Sequence, residues 1–72
     1  MRITYDDQAD ALYIALLDGE IECRTVRLTD EIALNIGPAE QLVGIEIIDA
    51  RRILGQGELP RVVVDNLPTA AA

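Results

Sequence analysis

The stretch LVGIEII at positions 42–48 decides the fold, because it is the clearest β-strand pattern in the 72-residue chain. With a period of two, its side chains divide between two faces: Val43, Ile45 and Ile47 on one, Leu42, Glu46 and Ile48 on the other. A glycine inside a strand marks a bulge or a close packing contact, and we expect Gly44 to do so. A strand that is apolar on both faces is expected to need cover on both sides.

Four upstream segments alternate in the same way and predict four further strands: residues 2–5, 11–17, 23–28 and 32–36. The second of these segments is ambiguous. Read as a helix, it places Leu12, Tyr13 and Leu16 on one face. Read as a strand, it places Leu12, Ile14 and Leu16 on one face and turns Tyr13 to the other. Periodicity leaves both interpretations open.

Turn and cap signals connect these segments. Asp18 and Gly19 predict a hairpin after the second strand. Asp49 is placed to cap a short helix over residues 50–54 that ends at Gly55. If its carboxylate is the cap, Asp49→Ala should cost about 0.5–2 kcal/mol. The predicted fold class is α+β: a small antiparallel β-meander of five strands with a short helix after the fifth strand.

The C-terminal quarter differs in composition from the rest. Residues 61–65 are rich in valine and predict either an extra strand or an arm on a neighbouring subunit. Residues 67–72 predict a frayed tail. The chain is therefore divided into a domain of residues 1–54 and a C-terminal extension of residues 55–72.

Composition excludes most catalytic chemistry. The chain has no Ser, His or Lys, so a Ser-His-Asp triad, a P-loop and a Schiff base are excluded, and no cofactor is expected. One cysteine, Cys23, cannot form an internal disulfide or a zinc site. The start of the chain lacks an apolar leader and no apolar run is long enough to cross a bilayer, so we expect a cytoplasmic protein away from membranes.

The charge is strongly acidic: thirteen acids against six arginines give a formal net charge of -7. Phosphate backbones attract basic patches, so no nucleic acid partner is expected. The two aromatic residues, Tyr5 and Tyr13, lie among acids and favour packing over base stacking. An acidic surface keeps the protein in solution, or it fits a basic protein partner.

Two motifs resemble a known family. Residues 3–6 with 9–14, and VGIEIIDA at positions 43–50, resemble the DUF2283 family of small prokaryotic proteins. The resemblance covers residues 1–54, with Asp30-Glu31 standing where the family usually has an Asp-Gly turn. It implies an antiparallel sheet with a C-terminal helix and favours a strand over residues 11–17. It implies no activity, because the family is uncharacterised. Some members are encoded beside small toxin-like proteins, which suggests an antitoxin role for at least part of the family.

Acidic residues are the remaining site candidates. Asp6, Asp7 and Asp10 fail the calcium-loop template, since Ala11 and Leu17 stand where Gly and Glu are required, and turn chemistry explains them better. A second set belongs to the two motifs and could bind a metal or catalyse hydrolysis: Asp6, Asp10, Glu46 and Asp49. Turns, a cap and an outward strand position explain the same residues, and Cys23 is interpreted as a bystander. No catalytic, cofactor-binding or metal-binding residue is therefore assigned.

Three hypotheses for function follow. The first is a non-catalytic, homo-oligomeric interaction protein, because one short helix cannot cover a sheet with two apolar faces. A dimer or larger assembly is expected, and Tyr13→Asp or Ile48→Asp should split it or unfold the protein. The second is an antitoxin-like inhibitor that binds a basic toxin partner. The third, ranked last, is a carboxylate-based metal-binding or hydrolytic protein.

Overall fold

A computed structural model describes residues 1–66 of the chain. It contains five strands, followed by one helix: β1 (Arg2–Asp6), β2 (Ala11–Ala15), β3 (Arg24–Arg27), β4 (Ile32–Ile36), β5 (Leu42–Ile48) and α1 (Ala50–Ile53). The predicted set of five antiparallel strands with a short helix after the fifth is confirmed. The predicted frayed tail, residues 67–72, lies outside the described residues.

The strand order is β1-β2-β5-β4-β3, with every pair antiparallel. This order corrects the sequential order that a simple meander implies. β5 is the longest strand and takes the central position, where both of its edges pair with a neighbouring strand. β3 carries an arginine at each end and takes an edge. The hairpin predicted at Asp18 and Gly19 is therefore wrong, because residues 16–23 connect β2 to the far side of the sheet.

β2 resolves the ambiguity of residues 11–17 in favour of a strand. Leu12 and Ile14 lie opposite Ile47 and Ile45 of β5, so these four side chains share a face, and Tyr13 lies on the other face. The strand ends at Ala15, before Leu16. A neighbouring strand on each side outweighs the helical periodicity, since β2 hydrogen-bonds to both β1 and β5.

The helix lies on the face of β5 that bears Ile47. It spans Ala50–Ile53, one residue shorter than predicted, and Leu54 forms its C-terminal cap. The packed centre beneath it is small: Leu12, Ile47 and Ala50 are buried, and the half-buried residues around them include Tyr5, Ile32 and Ile53. No large side chain among the described residues is fully enclosed.

The C-terminal segment leaves the sheet after the helix. Residues 61–66 form no helix or strand, so the predicted extra strand over 61–65 is not formed within the chain. Val62, Val63 and Val64 are 55%, 72% and 79% exposed. Pairing of this segment with a neighbouring subunit stays a prediction.

Candidate functional site

One face of the sheet carries two apolar rows that run across the strands. Residues directly opposite each other on paired strands point to the same face. We call the first row the helix row: Tyr5, Leu12, Ile47 and Ile32. The second row is displaced from the first by two residues on each strand and crosses all five strands. We call it the far row: Ile3, Ile14, Ile45, Leu34 and Val26.

The helix covers the helix row, whereas the far row is only partly covered: its central residues Ile14 and Ile45 pack against the buried cluster but stay half-buried. Leu12 and Ile47 are 4% and 6% exposed beneath Ala50, which is fully buried. In the far row Ile3 is 36% exposed and the other four side chains are half-buried. A helix of four residues is about 6 Å long, whereas five strands span about 19 Å. The far row is therefore an apolar surface that this chain cannot cover with its own helix.

The opposite face of the sheet is polar at its centre. Asn35 Nδ2 donates a hydrogen bond to Tyr13 Oη at 3.0 Å, and Thr25 Oγ1 donates one to Asn35 Oδ1 at 3.1 Å. Glu46 is exposed directly across from Tyr13. Tyr13 is thus held in a polar network that joins β2, β4 and β3 across β5.

This arrangement corrects part of the expectation that Tyr13, Leu17, Leu42 and Ile48 form an apolar surface on that face. Leu17 lies beyond the end of β2, and Tyr13 has polar neighbours. Leu42 and Ile48 are 38% and 39% exposed, but Glu46 stands between them along β5. The continuous apolar surface is the far row on the helix side.

Gly44 lets Tyr13 lie flat across β5. A Cβ at position 44 would overlap the hydroxyl group and the ring of Tyr13 and stand 3.1 Å from the carbonyl oxygen of Ile14. A register shift between Asn35 and Ile36 lies beside it. Of the two alternatives predicted for Gly44, a close packing contact or a bulge, the close contact is confirmed.

Asp10 anchors the start of the helix from 41 residues away in sequence. Its backbone oxygen accepts a hydrogen bond from Ala50 N at 3.0 Å, and its carboxylate accepts one from Arg51 N at 3.1 Å. The same carboxylate accepts a hydrogen bond from Tyr5 Oη at 2.7 Å. Two backbone donors at the helix start, which have no partner within the helix, are satisfied by this one turn residue.

Asp49 occupies the N-cap position, but the prediction that its carboxylate caps the helix is wrong. The residue has φ 54° and ψ 43°, and its side chain makes no capping hydrogen bond. The carboxylate instead accepts a hydrogen bond from Arg52 Nε at 2.5 Å, and Arg52 also pairs with Glu31 at 2.8 Å. The left-handed backbone turns the chain from β5 into α1 and aims the Asp49 side chain away from the amides that it would cap.

Hydrogen bonding shifts the acid–base behaviour of two side chains. The bond from Tyr5 to the Asp10 carboxylate, reinforced by partial desolvation, raises the pKa of Tyr5 above its ordinary value. The bond to Asp49 raises the pKa of Arg52 further above its ordinary value. Neither shift produces a general acid or base near neutral pH, so both are consequences of structural contacts.

The motif carboxylates are not brought together. The Asp6 carboxylate accepts hydrogen bonds from Gln8 N at 3.0 Å and Ala9 N at 3.2 Å, as a turn residue does. Asp10 binds the helix start, whereas Glu46 lies on the polar face across from Tyr13. Across residues 1–66, no three carboxylate or thiol groups are grouped in a way that could hold a metal ion.

Cys23 precedes the edge strand β3. Its thiol is exposed and donates to the carbonyl oxygen of Ile21 at 3.1 Å. It lines an open depression together with Arg24 and Glu40, which form an ion pair with each other at 2.5 Å. The guanidinium of Arg24 is therefore engaged with a carboxylate.

Sequence reasoning missed two features of this site. Ile3 and Val26 complete the far row on the edge strands, and the alternation of both segments already carried that signal. The contact between Asp10 and Arg51 had no local signal, because it joins residues that only the sheet brings together.

Comparison with known proteins gives one match. The sequence profile of a family described as "Protein of unknown function (DUF2283)" matches residues 2–51. No curated protein and no solved structure matches the chain. Within the part of the chain that the structure describes, no helix has the length and apolar character to cross a membrane.

Proposed function

Because this chain belongs to the DUF2283 family, whose function is unknown, we propose a function from the surfaces of the chain itself. The protein is a non-catalytic interaction protein that associates with copies of itself through the far row. The observation that carries this proposal is the row of five aliphatic side chains across all five strands, in which Ile3 is exposed and the other four are only half-buried. Monomers in solution rarely leave a continuous apolar surface of this kind open.

A second copy is the partner that this surface fits best. The far row contains no charged or polar side chain, so it offers a partner apolar contact without charge recognition. A row that crosses the whole sheet can pack against the same row of another copy about a two-fold axis. Such packing would remove the far row from water and supply the cover that α1 does not reach.

The non-catalytic part of the proposal is supported by the chemistry of the chain. Ser, His and Lys are absent, and the acidic residues of the two motifs hold turns, the helix start and an ion pair. Within the part of the chain that the structure describes, no three carboxylate or thiol groups lie together in a way that could hold a metal ion. Sheet-on-sheet association needs none of that chemistry.

A charge placed in the far row tests this proposal. Val26 is half-buried on the edge strand β3, and Val26→Asp puts a carboxylate into the proposed interface. Burial of an unpaired charge costs several kcal/mol, so the dissociation constant should rise at least about a hundredfold. Thr25→Asp is the matched control, since it adds the same charge one residue away on the polar face. Sedimentation equilibrium and circular dichroism would follow mass and fold.

The expected result is a dimer or larger assembly for the unmodified chain and for Thr25→Asp, and a folded monomer for Val26→Asp. Val26→Leu keeps the surface apolar and should keep the assembly. A monomer mass for the unmodified chain over a hundredfold dilution, with the fold intact, contradicts the proposal. Equal dissociation by Val26→Asp and Thr25→Asp contradicts the choice of face.

The second candidate function is an antitoxin-like inhibitor, and the net charge of -7 favours it. Exposed acids lie at the end of β1 and in the turns and connections around the sheet: Asp6, Asp7, Asp18, Glu20, Glu22 and Asp30. A basic toxin would be attracted at long range, and its association rate would fall steeply with salt. Capture of a basic protein from native lysate at low salt, released by high salt, supports this candidate; capture of the chain's own copies alone counts against it.

A further inference from the structure

The segment of residues 61–65, Arg61 to Asp65, has no place in its own chain. It is a run of three valines between two opposite charges, a composition that favours strands. All three valines are more than half exposed, and the segment pairs with no strand of the described chain. A short apolar strand-forming segment left in water is a candidate for pairing with an exposed sheet edge.

β1 is an edge whose free side matches this segment. β1 pairs with β2 on one side and ends the sheet on the other. Its sequence, RITYD, runs from Arg2 to Asp6, and the segment, RVVVD, runs from Arg61 to Asp65. Placed antiparallel, Arg61 lies opposite Asp6 and Asp65 lies opposite Arg2. Placed parallel, both positions would oppose like charges, which is unfavourable.

The same register matches the two faces of the sheet. Val62 and Val64 lie opposite Tyr5 and Ile3, whose side chains belong to the helix row and the far row. Val63 lies opposite Thr4, on the polar face. A shift of one residue would exchange these faces and separate both charge pairs. One register therefore satisfies charge and burial together.

The other edge of the sheet is a poorer match. β3 carries Arg24 and Arg27, so it offers Arg61 no acid on the strand itself, and Arg24 already pairs with Glu40. A register that brings Asp65 to Arg24 would place two of the three valines on the polar face beside Thr25 and Arg27. Of the two sheet edges, β1 is therefore the one that fits the segment.

We propose that residues 61–65 of one copy add to the free edge of β1 in a second copy, antiparallel, with Val63 opposite Thr4. The structure holds the segment away from its own sheet, so the acceptor is a neighbour, and exchange in both directions gives a closed two-fold dimer. This inference rests on the proposed self-association and adds a second contact to it, since Val62 and Val64 widen the apolar face of the acceptor.

Disulfide trapping between two different chains tests the pairing. In a Cys23→Ala background, one chain carries Thr4→Cys and the other carries Val63→Cys. Directly opposed strand residues have Cα atoms within the range that a disulfide bridges. Mixed and treated with oxidised glutathione, the two chains should give a covalent dimer of twice the 7.9 kDa chain mass. Val62→Cys replaces Val63→Cys as the register control and should cross-link at least tenfold less.

Each outcome decides the inference. A mixed dimer that needs Val63→Cys supports it. If a chain that carries both Thr4→Cys and Val63→Cys forms only an intramolecular disulfide, the choice of a second copy is overturned. Equal trapping by Val62→Cys, or no trapping, overturns the register. If trapping fails while Val26→Asp still separates an assembled protein, self-association stands and strand addition falls. If the unmodified chain is a monomer, both fall.

Charge reversal gives an independent measurement of the same contact. Arg2→Asp and Asp65→Arg each place like charges opposite one another, and each should weaken the association about two- to tenfold. The double variant restores an opposite pair and should recover most of the loss. Arg2 and Asp65 are exposed, so neither change threatens the fold. Additive losses in the double variant would contradict the pairing.

Discussion

Asp10, rather than Asp49, is expected to control the stability of the helix start. The two residues allow a matched test, because their φ values are 50° and 54° and each contributes one carboxylate. Asp10→Gly and Asp49→Gly relieve the same left-handed backbone strain and carry the same glycine entropy cost. Their difference therefore reports what each carboxylate contributes.

The magnitude follows from the contacts. Loss of a side-chain cap costs about 0.5–2 kcal/mol, and the additional bond from Tyr5 to Asp10 places the expected loss near the upper end, about 2 kcal/mol. The Asp49 carboxylate contacts the exposed guanidinium of Arg52, and exposed ion pairs contribute little. Asp49→Gly should therefore leave stability close to that of the unmodified chain.

Urea unfolding followed by circular dichroism, at one fixed protein concentration, measures the difference. With a slope of about 1 kcal/mol per molar urea for a domain this small, the two midpoints should lie about 2 M apart. Asp10→Asn retains an acceptor oxygen and should fall between them. Coincident midpoints for the two glycine variants, or a larger loss for Asp49→Gly, would refute the assignment of Asp10 as the anchor.

Two further predictions concern the tyrosines. Because the pKa of Tyr5 is raised by its bond to Asp10, the stability that this hydroxyl contributes is complete below pH 10 and is lost as the pH rises through the folded-state pKa. The difference in urea midpoint between the unmodified chain and Tyr5→Phe should therefore shrink above pH 10. A difference that stays constant with pH would contradict this prediction. Gly44→Ala forces the new methyl group into Tyr13 and should lower the free energy of unfolding by about 1–3 kcal/mol. Much of this loss should disappear in a Tyr13→Ala background. An unchanged loss in that background would place the clash elsewhere.

The sequence by itself determined the elements and their faces. Alternation placed four of the five strands, and the family resemblance favoured a strand over residues 11–17, where periodicity left a helix open. Asp49 and Gly55 bracketed the helix to within one residue, and Gly44 signalled the close contact that Tyr13 makes. Composition removed the catalytic classes that depend on Ser, His and Lys. These properties are local: a period of two, a residue type or an absent residue can be read without knowledge of any partner in space.

Only the tertiary structure decided how the elements meet. β5 leaves sequence order and enters between β2 and β4, because the longest strand gains most from two neighbours. That placement brings Ile3, Ile14 and Ile45 into one row with the aliphatic residues of β4 and β3, which forms the far row. It also brings the carboxylate of Asp10 to the backbone amide of Arg51. A contact between residues that are 41 positions apart in sequence depends on how the chain crosses the sheet and on strand register, which no local pattern encodes. The length of the one short helix decided which apolar row it covers.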